Sequence, residues 1–438
     1  MTVNDKKRLA IIGGGPGGLA AARVFSQSSA NFEIEIFVKD YDIGGVWHYP
    51  KQGQDGRVMY DHLETNISKE LMQFSGFPFK ASVPLYPSRK DIWEYLKNYY
   101  DEFIVNQDAI TIHFNTEVSY LEKKNSHWKV TSKNELGTTK SDFDFVIVAS
   151  GHYSVPKFPS DITGLEQWFD NRGAIHSKDF KNCEFARDKV VIVAGNGSSG
   201  QDIANQLTTV AKKVYNSIKE PANSQPGAKS TDTIPTINGC DWKSHSVTLS
   251  DGRIIQDVDY IIFATGYYYS YPFIEPSIRL DILGEGVTDD KRSSVNLHNL
   301  WEHMIYVKDP TLSFILTPQL VIPFPLSELQ AAIMVEVFCK NLPITTEFDS
   351  SVCGAHNFPK GKDLVHYAEL QALLDGIPHR IGHFKPVKWD ERLIELRNAS
   401  YSDKEERNVL LAEHAQALNK KKVPYFLPAP HAQLKFKD

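Results

Sequence analysis

"RLAIIGGGPGGLAAARVF", residues 8–25, decides the fold. Its apolar start reads as a strand, and Gly13-x-Gly15-x-x-Gly18 follows at once, with Gly14, Pro16 and Gly17 filling the spacing. The alanine-rich stretch beyond Gly18 has helix-forming composition. Strand, glycine turn and helix in that order form the dinucleotide fingerprint, in which bare backbone approaches a pyrophosphate and a helix N-terminus faces the anion. One such turn is weak evidence, because glycine turns also serve purely structural ends. Here the pattern recurs: "KVVIVA" runs into Gly195-Asn196-Gly197-Ser198-Ser199-Gly200, then the helix-like "QDIANQLTTVA" and the strand-like "KVYNS". Two copies in matching context indicate two dinucleotide sites.

Each copy has a later apolar strand ending at small residues, "DFDFVIVASGHYSVP" from 142 and "DVDYIIFATGYYYSYP" from 257, which returns the chain to its sheet. Two sites on one chain suggest electron transfer from a nicotinamide to a flavin. The expected fold is α/β with two Rossmann-like domains, the NADPH domain inserted in the FAD domain. Residues 1–175 and 290–438 form the FAD-binding parts and 176–289 the NADPH-binding insert, since the third region has no fingerprint of its own. "EPANSQPGAKSTDTIPTING", 220–239, reads as a surface loop.

The chain has 438 residues and a net charge of −6, with both signs interspersed, which argues against a nucleic-acid surface. No apolar run reaches membrane-span length, and the strongest, "SFILTPQLVIPFPL", is broken by prolines. "MTVNDKKRL" leads straight into the first strand and leaves no room for a signal peptide. A cytoplasmic location is expected, or a peripheral one on the cytosolic face of the endoplasmic reticulum. Cys183, Cys240, Cys339 and Cys353 form no CxxC pair, so neither a disulfide scaffold nor a redox dithiol is expected. The histidines show no HExxH spacing, and no metal is expected.

"FEIEIFV", 32–38, alternates as a second strand. An acid about 20 residues beyond the fingerprint normally holds a ribose hydroxyl; here that place falls to Val38, with Lys39 and Asp40 as substitutes. In the second unit the strand ends at Asn216 and Ser217, with Lys219 close by, donors suited to a 2′-phosphate and so to NADPH. Glu220 is read as lying beyond the strand, before Pro221.

"GGGPGGL", "DIGGVWHY", "LETNISKELMQFSGFPF", "GNGSSGQDIA", "FATGY", "DPTLSFI" and "FPLSELQA" span most of the chain. Together they resemble the flavin-containing monooxygenases, in particular the short fungal, thiol-oxidising branch. The resemblance implies that NADPH reduces FAD, that reduced FAD takes O₂ to a C4a-hydroperoxide, and that oxygen passes to a soft nucleophile. The implied substrates are thiols such as cysteamine, cysteine and glutathione, oxidised to disulfides, and a homodimer is compatible with it. By motif, Gly13 to Gly18 would hold the FAD pyrophosphate, while Gly45, Val46 and Trp47 would line the flavin. Thr65, Asn66 and Ile67 would meet the isoalloxazine, Val118 and Gln330 would complete the FAD contacts, and Gly195 to Gly200 would hold NADPH. Asn66 is the implied catalytic residue, because an amide can hydrogen-bond a peroxide without donating an acidic proton. Read without the family, Asn66 would cap a helix before "SKELM". Ser327 is expected to cap a helix aimed at the flavin pyrimidine.

Two positions depart from the family pattern: Val38 stands where an acid is usual, and "FDNRGAIHSKDF" keeps His176 and Phe180 but has Arg172 at the glycine place, with Gly173 displaced by one. The alternatives are an amine or sulfide oxygenase, a Baeyer–Villiger oxygenase, and a non-catalytic NADPH-binding regulator.

Overall fold

Lys7–Ile12 lies inside a seven-stranded sheet, paired in parallel with Phe32–Phe37 on one side and Phe145–Val148 on the other. This is the arrangement in a computed structural model that describes residues 6–50, 56–219, 231–284, 292–345 and 356–429. The first strand is apolar on both faces because both are covered. Leu9 and Ile11 pack with Leu19, Val24 and Phe25 of helix Pro16–Ser26. Ala10 and Ile12 pack with Trp128 and Val130 of an antiparallel meander formed by Glu117–Lys124, His127–Asn134 and Gly137–Phe143. Period-two alternation thus feeds two cores from one strand.

The chain then leaves this sheet and comes back. Leu312–Phe314 joins Phe145–Val148 in parallel, extended by Ile305–Tyr306 and Leu300–Trp301. Helix Pro323–Phe338 follows, buried over nearly its whole length against the first helix and its neighbours. Between these visits lies a parallel five-stranded sheet in the order Asp232–Ile234, Lys213–Ser217, Val190–Ala194, Tyr260–Phe263, Ala174–His176.

Three boundaries differ from the sequence reading. A division at 175/176 cuts the strand Ala174–His176, and Leu165 and Trp168 of helix Leu165–Asp170 already pack on one face of the five-stranded sheet with Val190 and Ile261. Within the expected loop, Asp232–Ile234 is an edge strand and Ile237–Asp241 pairs with Ser246–Leu249; β-branched residues beside proline prevail over the polar composition. Residues 220–230 lie outside the described residues. Lastly, helix Glu391–Lys421 places Ala415 and Leu418 on the other face of the five-stranded sheet, with Ile203, Leu207 and Val214.

The displaced glycine of the linker pattern has a physical cause. Gly173 sits between two indoles, and an added Cβ would lie 2.5 Å from Trp242 and 2.9 Å from Trp168. Arg172 instead takes the left-handed turn, with φ of 59°. Arg172→Gly should therefore hold or raise stability by up to about 1 kcal/mol. Gly173→Ala should lower it by about 1–3 kcal/mol. Urea unfolding curves measure both, and equal effects would contradict this division of labour.

Candidate active site

Both glycine turns are built in the same way. Gly13 and Gly195 share a φ of 121°, a conformation that favours glycine. A Cβ on Gly13 would overlap the carbonyl oxygen of Ala149, and one on Gly195 would overlap that of Ala264. Likewise, a Cβ on Gly18 would strike Gly13 O, and one on Gly200 would strike Gly195 O. Gly15 and Gly197 then cap the helices Pro16–Ser26 and Ser198–Leu207 with extended backbone and no side-chain cap. Neither cap residue offers a side chain to the first-turn amides, which suits an anion site. Ala149 and Ala264, each one residue past its strand, are site residues that the sequence showed only as small-residue turns.

The first turn has a second wall. Gly44 N donates to Gly14 O at 2.9 Å, and a Cβ on Gly45 would lie 3.0 Å from Gly15 Cα. Gly45–Trp47 is a single 3-10 turn, with Val46 half-buried and Trp47 packed against the first core. Gly15 and Gly45 therefore meet backbone to backbone, and a side chain on Gly45 would press the two turns apart.

Val38 is 4% exposed, and its Cγ2 lies 2.7 Å from where a Gly14 Cβ would stand. The usual acid position is thus packing for the turn. Lys39 pairs with Glu117 at 2.7 Å, while Asp40 accepts from Arg57 at 2.6 Å and meets His48 Nδ1 at 2.9 Å. Asp40 is thus committed to protein partners, whereas the Lys39 pair is exposed and weak. The Val118 side chain is also buried in the meander core.

Asn66 is exposed, on a turn with no helix after it, so the helix-cap alternative fails. Thr65 makes the turn: its N–H donates to Pro87 O at 2.9 Å and its Oγ1 to Ile67 O at 2.8 Å, while Ile67 rests on the core. Ser68 Oγ is buried without a partner among the described residues. Gln330 is fully buried; its Oε1 accepts from Leu316 N at 3.0 Å and its Nε2 has no acceptor among the described residues. Ser327 is not a cap. Its helix begins at Pro323, because prolines suit a first turn that has no partner for their missing N–H, and Ser327 Oγ donates to Phe324 O at 2.7 Å.

The family model described as flavin-binding monooxygenase-like matches residues 6–223 and 236–348, a span that includes both glycine turns and Asn66. The chain belongs to the flavin-binding monooxygenase-like family. It is 82% identical to the thiol-specific monooxygenase of Saccharomyces cerevisiae over 98% of this chain and 100% of that one. It is 29% identical to the Arabidopsis thaliana flavin-containing monooxygenase FMO GS-OX-like 9, over 82% and 81% of the two chains. Among solved structures, the S-allyl-L-cysteine S-oxygenase of Allium sativum superposes with a TM-score of 0.71 at 25% identity, covering 95% of this chain and 98% of that one. The chain is therefore a flavin-dependent monooxygenase with FAD and NADPH as cofactors.

Within this monooxygenase the second turn corrects two expectations. Asn196, Gly197, Ser198 and Ser199 are exposed and Gly200 is buried. Asn216, however, donates from Nδ2 to Val193 O at 3.1 Å and to Gly195 O at 3.0 Å, and Ser217 Oγ donates to Pro235 O at 2.9 Å. Both lie inside a parallel sheet and brace the turn, so their donors are already used. Lys219 is exposed, and Glu220 lies outside the described residues. His176 donates from Nε2 to Gly266 O at 3.1 Å and accepts from Lys178 N at 3.1 Å. Burial pushes its pKa down to about 4, leaving a neutral strut between linkers. Among the described residues no His, Cys, Asp and Glu group is placed to hold a metal, and no helix is long and apolar enough to cross a membrane.

Proposed function

We propose that this enzyme oxidises small biological thiols, among them cysteamine, cysteine and glutathione, to disulfides at the expense of NADPH and O₂. The observation that carries the reading is 82% identity, across nearly the whole chain, to a protein named for thiol-specific monooxygenation. The balance is two thiols, O₂, NADPH and a proton giving a disulfide, two waters and NADP⁺. A first thiol is oxygenated to a sulfenic acid, which a second thiol attacks to expel water.

FAD is assigned to the Gly13–Gly18 turn and NADPH to the Gly195–Gly200 turn. When bound, the flavin supplies oxygen activation at C4a, so the protein needs no nucleophile or metal of its own. The chain's own residues bind, orient and shield. The bare helix start beyond Gly15 suits the cofactor's pyrophosphate, and Gln330 Nε2, without an acceptor among the described residues, suits one of its acceptors. Asn66 presents an amide, which can hold a reactive oxygen by hydrogen bonding without an acidic proton to give it. Sulfide S-oxygenation is the second reading, favoured by the likeness to the S-allyl-L-cysteine S-oxygenase.

An oxygen electrode with NADPH and a panel of thiols, sulfides, amines and ketones tests this. Thiols should stimulate oxygen uptake with disulfide formed; turnover of ketones or amines alone would overturn the reading. Asn66→Leu should keep FAD and lose about tenfold to hundredfold in thiol oxidation rate, with a larger share of NADPH released as H₂O₂. Unchanged coupling would remove Asn66 from the reaction.

A further inference from the structure

We propose that Arg407 is a positioning residue that registers Asn66 against the second glycine turn, an inference that rests on the function proposed above. Arg407 lies on helix Glu391–Lys421, far from either fingerprint. Its Nε donates to Glu64 Oε1 at 3.0 Å and its Nη2 to Glu64 Oε2 at 2.7 Å. Both side chains are about 95% buried, and Glu64 stands two residues before Asn66. A bidentate fork fixes orientation as well as distance. Lys404, one turn earlier, stands 3.9 Å from Glu64 Oε1, and the Tyr86 ring lies beneath both cations.

The same helix is tied to the helix that opens at the second turn. Asn408 Nδ2 donates to Gln201 Oε1 at 3.2 Å, and Gln201 Nε2 donates to Asn196 O at 3.2 Å, inside the turn itself. At the far end Asn419 Nδ2 donates to Thr208 O at 2.6 Å. The segment before Asn66 is docked there too, with Tyr60 Oη donating to Asp202 Oδ2 at 2.6 Å and Gln206 Nε2 to His62 O at 3.2 Å. The turn of Asn66 thus belongs to the first domain by sequence and is attached to both. A continuous run of partners, Glu64, Arg407, Asn408 and Gln201, leads from its turn to Asn196. The helix is already anchored by Leu411, Ala415 and Leu418. What the ion pair adds is direction, since a buried pair is weak evidence for stability in itself.

The test uses the full-length, FAD-loaded enzyme. Arg407→Lys keeps the charge and loses the fork; Glu64→Gln, which keeps the shape, serves as the second variant should lysine prevent folding. FAD per chain, thermal unfolding, NADPH consumed, disulfide and H₂O₂ are measured together. The expected result is retained FAD with the H₂O₂ share of NADPH consumption raised about threefold or more. Adding Asn66→Leu to either variant should raise that share no further than Asn66→Leu alone, the non-additivity of residues acting through one another. Wild-type coupling in Arg407→Lys, additive effects, or loss of FAD in both variants would overturn the inference. A wild type that couples no NADPH to thiol strikes the proposed function before any variant is compared. A coupled wild type with an uncoupled Asn66→Leu and a coupled Arg407→Lys strikes this inference alone.

Discussion

Gly13→Ala should give a colourless protein. The new methyl meets Ala149 O, and neither side can yield: Gly13 N donates to Phe37 O and Ala149 N donates to Ile12 O, each at 2.9 Å. The φ of 121° adds strain for any L side chain. Strain and overpacking together cost about 2–5 kcal/mol, concentrated where the proposed FAD site needs bare backbone. Gly195→Ala, its counterpart in geometry, should instead leave the protein yellow and abolish flavin reduction by NADPH. Flavin absorbance per chain and anaerobic reduction traces separate the two. A yellow Gly13→Ala together with a colourless Gly195→Ala would exchange the two cofactor assignments.

Arg23→Met should be the most destabilising substitution outside the glycine turns, and its effect should depend on pH. Glu328 is fully buried; it meets Arg23 Nη1 at 3.1 Å, Tyr99 Oη at 3.1 Å and Ser75 N at 2.8 Å. Burial pushes its pKa up to about 7 against these three partners. In the wild type the folded carboxyl keeps a proton that the unfolded chain releases at the ordinary glutamate pKa. Stability from this group is therefore full below that value, falls as pH rises toward about 7, and stays low above it. Removing Arg23 leaves the carboxylate without its cation and raises its pKa further. The loss should be about 3–5 kcal/mol at roughly pH 8 and smaller near pH 6, where Glu328 is protonated. Urea unfolding at the two pH values measures it. The full loss at both pH values would show that Glu328 stays ionised throughout, and a small loss at both that it stays protonated.

Both dinucleotide units were legible because their signals are local: a strand, three glycines and a helix within about twenty residues. The side chains around them were less so. Asn216 and Ser217 read as ligand donors because their polarity is visible in sequence, but the strand that turns them toward Gly195 and Pro235 is not. Val38 read as a missing acid; it fills space over Gly14. Ser327 carries the residue type of a cap, but Pro323 starts the helix a turn earlier. Ala149 and Ala264 matter through their carbonyls, which no side-chain pattern reports.

Helix Glu391–Lys421 also orders events in time. Glu64 and Arg407 are 343 residues apart. At about 5–20 residues per second, synthesis separates them by about 20–70 s. By the later part of that interval the nascent chain holds both glycine turns while the carboxylate beside Asn66 still lacks its partner. The turn that carries Asn66 is thus fixed by a helix made long after it, and the two glycine turns are tied to it only once residues 391–421 have been added.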